Sequence, residues 1–492
     1  MFTNPTSTAL EFSYAAAVAH PFGKKWHGMT RVHPSGHALR EREPIAPGRT
    51  DSGLRATIAF VDVGRPVTDQ LARGPTSGSK PALEGWRTWL FIGATGFGGP
   101  AAQIALLHRE VVERQRWLDE EEFLAAMRIC MLLPGPEAQQ LATYAGWRIG
   151  GLPGGLLSGS LFVLPGAVLV TLLAWLHAVG EKSPFVTAAF AGTRPAVVAL
   201  IVLACSRIGR KSLTSPATAV VALAALVAVA AGVSFPIVLF VAGAVGFCMP
   251  ADGRAGGKAG ETTARPTAAS MEPRPQARSL LVVVAVAASL WLAALAAVRL
   301  FGLAGDRGTA IATLFTETTL LSFGGAYAVV PWALDESLAR GWLEAGERFD
   351  ALAMGEATPG PLILVTTFIG FLAGYRTALP GNAAAGFAGA AIATLFAFLP
   401  SFALILAVAP AVRSIHASPR LRQTMSTIGA AIVAAILILA IRLAAEAFAP
   451  AGRVELLPIA VALTAGITLW RGWASAPVVI VVAAAVGLLA RP

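Results

Sequence analysis

The sequence predicts an all-α polytopic membrane protein of about thirteen transmembrane segments. These form two homologous repeats of inverted topology, with helices broken by Gly and Pro. Three observations predict it. First, 55% of the 492 residues are hydrophobic and 13% are charged. That is about half the charged share of a soluble domain, and the mean hydropathy is +0.66. Second, long windows carry no charge: Lys211 to Asp252, Arg148 to Glu181, Arg278 to Arg299 and Arg376 to Arg413. Their Ala/Leu/Val-rich composition reads as helix, since a membrane β-barrel would alternate polar and apolar residues. Third, the chain repeats itself at a fixed interval.

Residues 1–82 are rich in Arg, Pro, Gly, Ser and Thr with no apolar period, and are expected to be a disordered, basic, cytosolic extension. They show no basic n-region leading into an apolar core, so no signal peptide is read. Residues 83–250 form the N-terminal repeat, with spans expected near 86–107, 123–147, 152–178, 185–208, 215–232 and 234–250. A polar Pro/Gly/Ala-rich stretch at 251–278 reads as a cytosolic linker. The span at 279–303 has no partner in the first half and would invert the second repeat. Residues 304–492 form that C-terminal repeat, with spans near 308–333, 348–375, 380–411, 421–446, 454–470 and 474–490. The segments 123–147 and 348–375 are read as either spanning or re-entrant.

The net charge of +10 fits basic cytosolic segments under the positive-inside rule, and no nucleic-acid partner is expected. Cys130, Cys205 and Cys248 have neither CxxC spacing nor an even count, so no disulfide framework or metal site is read. No phosphate-binding P-loop, GxSxG or HExxH motif occurs. The chain is therefore not expected to be an enzyme or an ATP-driven pump, and no cofactor is expected.

The repeat is carried by two units. "GFGGPAAQIALLHREVVERQRWL" (96–118) matches "SFGGAYAVVPWALDESLARGWL" (322–343). "LLPGPEAQQLATYAGW" (132–147) matches "ATPGPLILVTTFIGF" (357–371). The offset is 226 at Phe97 and Phe323, and 225 at Trp117 and Trp342 and at Pro134 and Pro359. Seven expected spans separate the two starts, an odd number, so the units run in opposite senses. Inverted repeats with matched breaks are a signature of secondary transporters, and the breaks mark the substrate site.

Each break has its own chemistry. Pro134-Gly135-Pro136 cannot continue a helix. Pro136 suits the first turn of a new one, whose free amides and dipole would attract an anion. Thr358-Pro359-Gly360-Pro361 repeats the device, with Thr358 as an N-cap. Gly98, Gly99, Gly324 and Gly325 supply two more breaks, with Tyr327 beside the second. Gln103, Gln139 and Gln140 are neutral donors for oxygens. Glu137 and Glu356 either cap helix termini or carry an exchangeable proton. Arg128 and Arg194 lie within or at the ends of apolar runs, where a guanidinium marks a site or snorkels to the interface. Arg207 and Arg442 are read as helix-end cations, and Trp117 and Trp342 as interfacial anchors.

At these residues the sequence resembles the chromate ion transporter family in its long, two-domain form. "WLDEEEFLAAMRICMLLPGPEAQQLATYAGW" and "LFVLPG" are close to that family's N-terminal pattern, and "LLSFGGAYAVVPW" and "GEATPGPLILVTTFIGFLAGY" to its C-terminal one. The resemblance covers about residues 86–490. It departs in the N-terminal extension and in "MRICM", where Asn would be expected before the Cys. It implies a bacterial inner-membrane protein that exports chromate on a chemiosmotic gradient and confers chromate resistance. The expected partners are chromate or a similar oxyanion and the lipid bilayer, and a homo-oligomer is compatible with the sequence. Two other readings stay open: a transporter of sulfate or another tetrahedral oxyanion, and a non-transporting membrane scaffold or sensor.

Overall fold

The computed structural model describes residues 85–180, 183–249, 277–377, 381–412 and 419–490. The expected extension at 1–82 and nearly all of the 251–278 linker lie outside the described residues. Among the described residues the regular structure is entirely helical.

The first half contains α1 (Trp86–Thr95), α2 (Gly99–His108), α3 (Glu120–Cys130), α4 (Glu137–Gly180), α5 (Pro184–Ser212), α6 (Pro216–Ala230) and α7 (Phe235–Cys248). After α8 (Ala277–Leu300), the second half runs through α9 (Gly308–Leu320), α10 (Val330–Ala339), α11 (Glu347–Ala357), α12 (Val365–Tyr375), α13 (Ala383–Val408), α14 (Pro419–Phe448), α15 (Leu456–Trp470) and α16 (Ala476–Leu489).

Four of the expected spans are each divided in two. Residues 86–107 become α1 and α2, each of 10 residues. Residues 123–147 become α3 and the start of α4, 308–333 become α9 and α10, and 348–375 become α11 and α12. Most of these helices have ten or eleven residues and are about 15 Å long, half of a ~30 Å hydrocarbon core. Each break therefore falls inside a segment of about membrane length. By length and composition four helices can cross a membrane: Glu137–Gly180, Pro184–Ser212, Ala383–Val408 and Arg420–Phe448. Among the described residues, shorter apolar helices include Pro216–Ala230, Phe235–Cys248, Leu456–Trp470 and Ala476–Leu489.

α4 is itself two arms. Non-helical dihedrals at Gly150 and Gly151 turn the chain, and the arms pack against each other. Ser158 Oγ donates to Ala142 O at 2.8 Å, and Gly146 lies so close to Gly154 and Ser158 that a Cβ would collide. α12 and α13 form the matching hairpin, with Gly370 and Gly374 against Gly389, Ala385 and Gly386.

The halves exchange helices. α5 of the first half packs against α15 and α16, while α14 of the second packs against α6 and α7, and α5 and α14 pack against each other. Small residues permit both crossings: Gly192 meets Gly487, and Gly246 meets Thr427. Large apolar side chains cover the outer faces, including Leu172, Trp175, Phe240 and Leu489. Exposed aliphatic surface on this scale is what lipid-facing helices present. Trp342, expected as an interfacial anchor, is instead buried and lies under Arg340 at 5.3 Å. Trp117 packs on Trp89 with ring centroids 5.3 Å apart.

Candidate functional site

Each break is held by the break of the opposite half. Gly135 N donates to Ser322 Oγ at 2.9 Å, directly before Phe323-Gly324-Gly325. Gly360 N donates to Gly96 O at 3.0 Å, directly before Phe97-Gly98-Gly99. The helix segments that follow Pro165 in α4 and Pro400 in α13 touch the breaks as well. Gly166 lies against Pro359 O, and Ser401 lies against Gly135. A further link joins these pairs into one run. Gly325 is close enough to Glu137 that an added Cβ would sit 3.3 Å from Oε2, and the Tyr327 hydroxyl donates to Glu356 Oε1. All four breaks thus lie in one continuous contact chain.

The glutamines brace this chain. Gln103 Nε2 donates to Gly360 O at 2.6 Å and to Gly96 O at 3.1 Å, so one buried amide ties the first Gly break to the second Pro-Gly-Pro. Gln140 Nε2 donates to Pro134 O at 2.8 Å. Gln139 Oε1 accepts from Ser401 Oγ at 2.7 Å, and its Nε2 donates to Thr143 Oγ1 at 2.9 Å. Thr358 does not cap the following helix. Its hydroxyl donates back to Met354 O at 2.7 Å, because the chain is extended at Thr358 and α12 begins only at Val365.

Charge gathers where the breaks meet. Glu137, Tyr327 and Glu356 are half-buried. α5 delivers two cations at i and i+4, spaced for one helix face: Lys211 acts electrostatically on Glu137, and Arg207 acts on both Glu356 and Tyr327. Both cations are exposed. One carboxylate lies beside each Pro-Gly-Pro, Glu356 bonded to the Tyr327 phenol, with two basic side chains of α5 within electrostatic range. Such a centre can hold a compact anion by charge while its carboxylates set a condition on entry, since an ionised carboxylate repels an anion.

The family described as Chromate transporter matches residues 83–247 and 309–488. This chain belongs to the chromate transporter family. It is 32% identical over 405 residues to the chromate transport protein of Pseudomonas aeruginosa, covering 81% of this chain and 89% of that one. The chromate transport protein of Cupriavidus metallidurans is 26% identical over 409 residues, with 82% and 92% covered. A probable chromate transport protein of Synechococcus elongatus is 27% identical over 420 residues, with 82% and 93% covered. No solved structure matches. Family membership and the long apolar helices together make this a multi-pass membrane protein, and the family is one of transporters.

In this chromate transporter family member, each matched region contains one FGG and one Pro-Gly-Pro break, so the crossed contacts above join the two regions. Of the residues singled out in the sequence, the contact chain takes in Gln103, Pro134, Gly135, Glu137, Gln139, Gln140, Gly325, Tyr327, Glu356, Pro359 and Gly360. Gly99 and Gly324 leave open space, with nothing within 4 Å of an added Cβ, whereas one at Gly98 would lie 3.1 Å from Ala102 Cβ. Arg128 lies apart, exposed on α3. Arg194 lies apart too, its guanidinium 5.7 Å from the Phe349 ring. Arg207 and Lys211 went unrecognised in the sequence. Arg207 looked like the counterpart of Arg442, but Arg442 is neutralised by Asp335 at 3.0 Å. The first-half counterpart of Asp335, offset by 226, is Arg109, and no ion pair ties Arg207 among the described residues. The i, i+4 spacing of Arg207 and Lys211 at the border of an uncharged window was the signal available.

Proposed function

We propose that this chain carries chromate across the bacterial inner membrane, outward from the cytosol, as a secondary transporter driven by the electrochemical gradient, and so confers chromate resistance. Substrate sits among Arg207, Lys211, Tyr327, Glu137 and Glu356, bordered by the open glycines Gly99 and Gly324 and by Gly98. The observation that carries this reading is the crossing of both Pro-Gly-Pro breaks within electrostatic range of two α5 cations that have no ion pair among the described residues. A doubly negative tetrahedral ion gains from two cations and from the phenol donor. Glu137 and Glu356 must be protonated, or turned away, when it enters.

The reading includes the architecture. Residues 83–250 and 304–492 act as two repeats of opposite orientation, within about thirteen segments that include the half-length helices. The reciprocal exchange of α6 and α7 for α15 and α16 supports it, as does the pairing of each break with the other half's break. So does a matched ion pair. Glu122 meets Arg148 at 2.6 Å in the first half, and Glu347 meets Arg376 at 2.6 Å in the second, with the glutamates offset by 225 and the arginines by 228.

Chromate accumulation in cells expressing the chain, with and without excess sulfate, tests the function. Lower chromate that is insensitive to sulfate is the expected result. Sulfate competition or greater uptake would instead indicate a sulfate carrier, and unchanged chromate would indicate a non-transporting protein.

A further inference from the structure

A second buried polar cluster lies away from the substrate residues, at the other end of α11 from Glu356. It joins the halves. His177, three residues before the end of α4, presents Nε2 to Glu347 Oε1 at 3.0 Å and Nδ1 to Asp350 Oδ2 at 4.0 Å. Arg376, just after α12, holds Glu347 through both carboxylate oxygens at 2.6 and 2.7 Å. Arg194 of α5 lies within electrostatic range of Asp350. Phe190 of α5 and Phe368 of α12 enclose the imidazole edge-on and tilted, at 4.7 and 5.3 Å. Among the described residues these are the charged and titratable groups facing His177 from α5, α11 and the end of α12.

The hydrogen bonding of this cluster is incomplete in one place. His177 Nδ1, Asp350 Oδ1 and Arg194 Nε are buried without a hydrogen-bond partner, although His177 is 7% exposed and Asp350 4%. Glu347 is an acceptor, so His177 Nε2 carries the hydrogen of the neutral ring, and Nδ1 is then a lone pair. That lone pair lies 4.0 Å from Asp350 Oδ2, an acceptor against an acceptor, while the carboxylate's other oxygen, Oδ1, is the one without a partner. A buried unpaired carboxylate is costly. The fold does not require it, because Glu122 and Arg148 make the equivalent pair in the first half, where Ala125 stands in place of Asp350 at the same offset of 225. The one ligand that satisfies both facing atoms is a proton.

We propose that His177 and Asp350 form a proton-binding site, separate from the substrate residues, that clamps α4 of the first half to α11 of the second. One proton leaves a bulk hydronium ion, which becomes water, and bonds to an Asp350 carboxylate oxygen, whose O–H then donates to the Nδ1 lone pair. The pair closes from 4.0 Å to hydrogen-bond length. α11 carries Asp350 and Glu356 six residues apart, about 9 Å along its axis, so a shift of α11 at this site moves Glu356 and its Tyr327 partner.

The transport arm of the test rests on the chromate reading above, and the spectroscopic arm does not. Infrared difference spectra of the purified full chain, recorded between acid and alkaline buffer, should contain a protonated-carboxyl band that D350N removes and H177Q shifts. In proteoliposomes, D350N and H177Q should flatten the pH dependence of chromate flux while chromate affinity stays within about twofold, as expected for separated sites. A band that survives in D350N overturns the proposal, as does a pH profile of either variant that overlays that of a transporting wild type. A wild-type chain that moves no chromate while its band depends on Asp350 would overturn the transport reading and leave the proton site standing.

Discussion

Gly135 and Gly360 combine two demands that no other residue type meets. Their φ angles are +118° and +99°, and their faces are closed: a Cβ would lie 2.6 Å from Ser401 Oγ at Gly135 and 3.0 Å from Leu364 Cδ1 at Gly360. Left-handed backbone alone costs a side chain about 1–2 kcal/mol. G324A meets only that cost, since its φ is +79° with open space around it. Thermal unfolding in detergent should therefore rank G135A and G360A well below G324A, and G324A modestly below wild type. At the polar centre, R207A and K211A should each weaken chromate binding by about fivefold, the upper end for a solvent-screened pair. Equilibrium binding with labelled chromate measures it.

At the scale of elements, the breaks were legible and their partners were not. Pro-Gly-Pro and FGG announce interruptions because Pro lacks an N–H and Gly permits positive φ, and the structure interrupts its helices at each. Nothing in a single sequence says where the freed polar groups turn. The sequence reading aimed the amides of Gly135 and Gly360 and the side chains of Gln103, Gln139 and Gln140 at substrate. The structure commits them to Ser322, Gly96, Gly360, Ser401 and Pro134, contacts that span up to 262 residues of chain. Gln103 gives the sharpest check. Q103A removes two buried hydrogen bonds and should cost about 1–3 kcal/mol. Q103E, which sets a carboxylate against two carbonyl oxygens, should cost more. A thermal-shift series would reverse that order if Gln103 served substrate alone.

At the scale of the whole molecule, the exchange of helices between halves explains why the site needs both. Each half contributes one Pro-Gly-Pro break and one FGG break, and each break is closed by the other half. The duplication itself was readable, because motif spacing survives divergence. Arg207 and Lys211 were hidden because their partners lie on α11 and at the start of α4, far away in sequence. Opposite orientation of the repeats makes a direct prediction at Arg116 and Gly341, equivalent positions offset by 225 that both hold positive φ before a tryptophan, at 52° and 67°. Single cysteines placed there in a cysteine-free chain should label with impermeant reagent from opposite sides of the membrane. Labelling from the same side would refute the inversion.

The central claim is that crossed breaks and the two α5 cations make one oxyanion site. Chromate uptake into everted membrane vesicles tests it most directly, comparing wild type with R207A/K211A at matched insertion. The account predicts energised uptake by wild type that an uncoupler abolishes, and only background uptake by the double variant. Wild-type uptake by a double variant lacking both cations would contradict it.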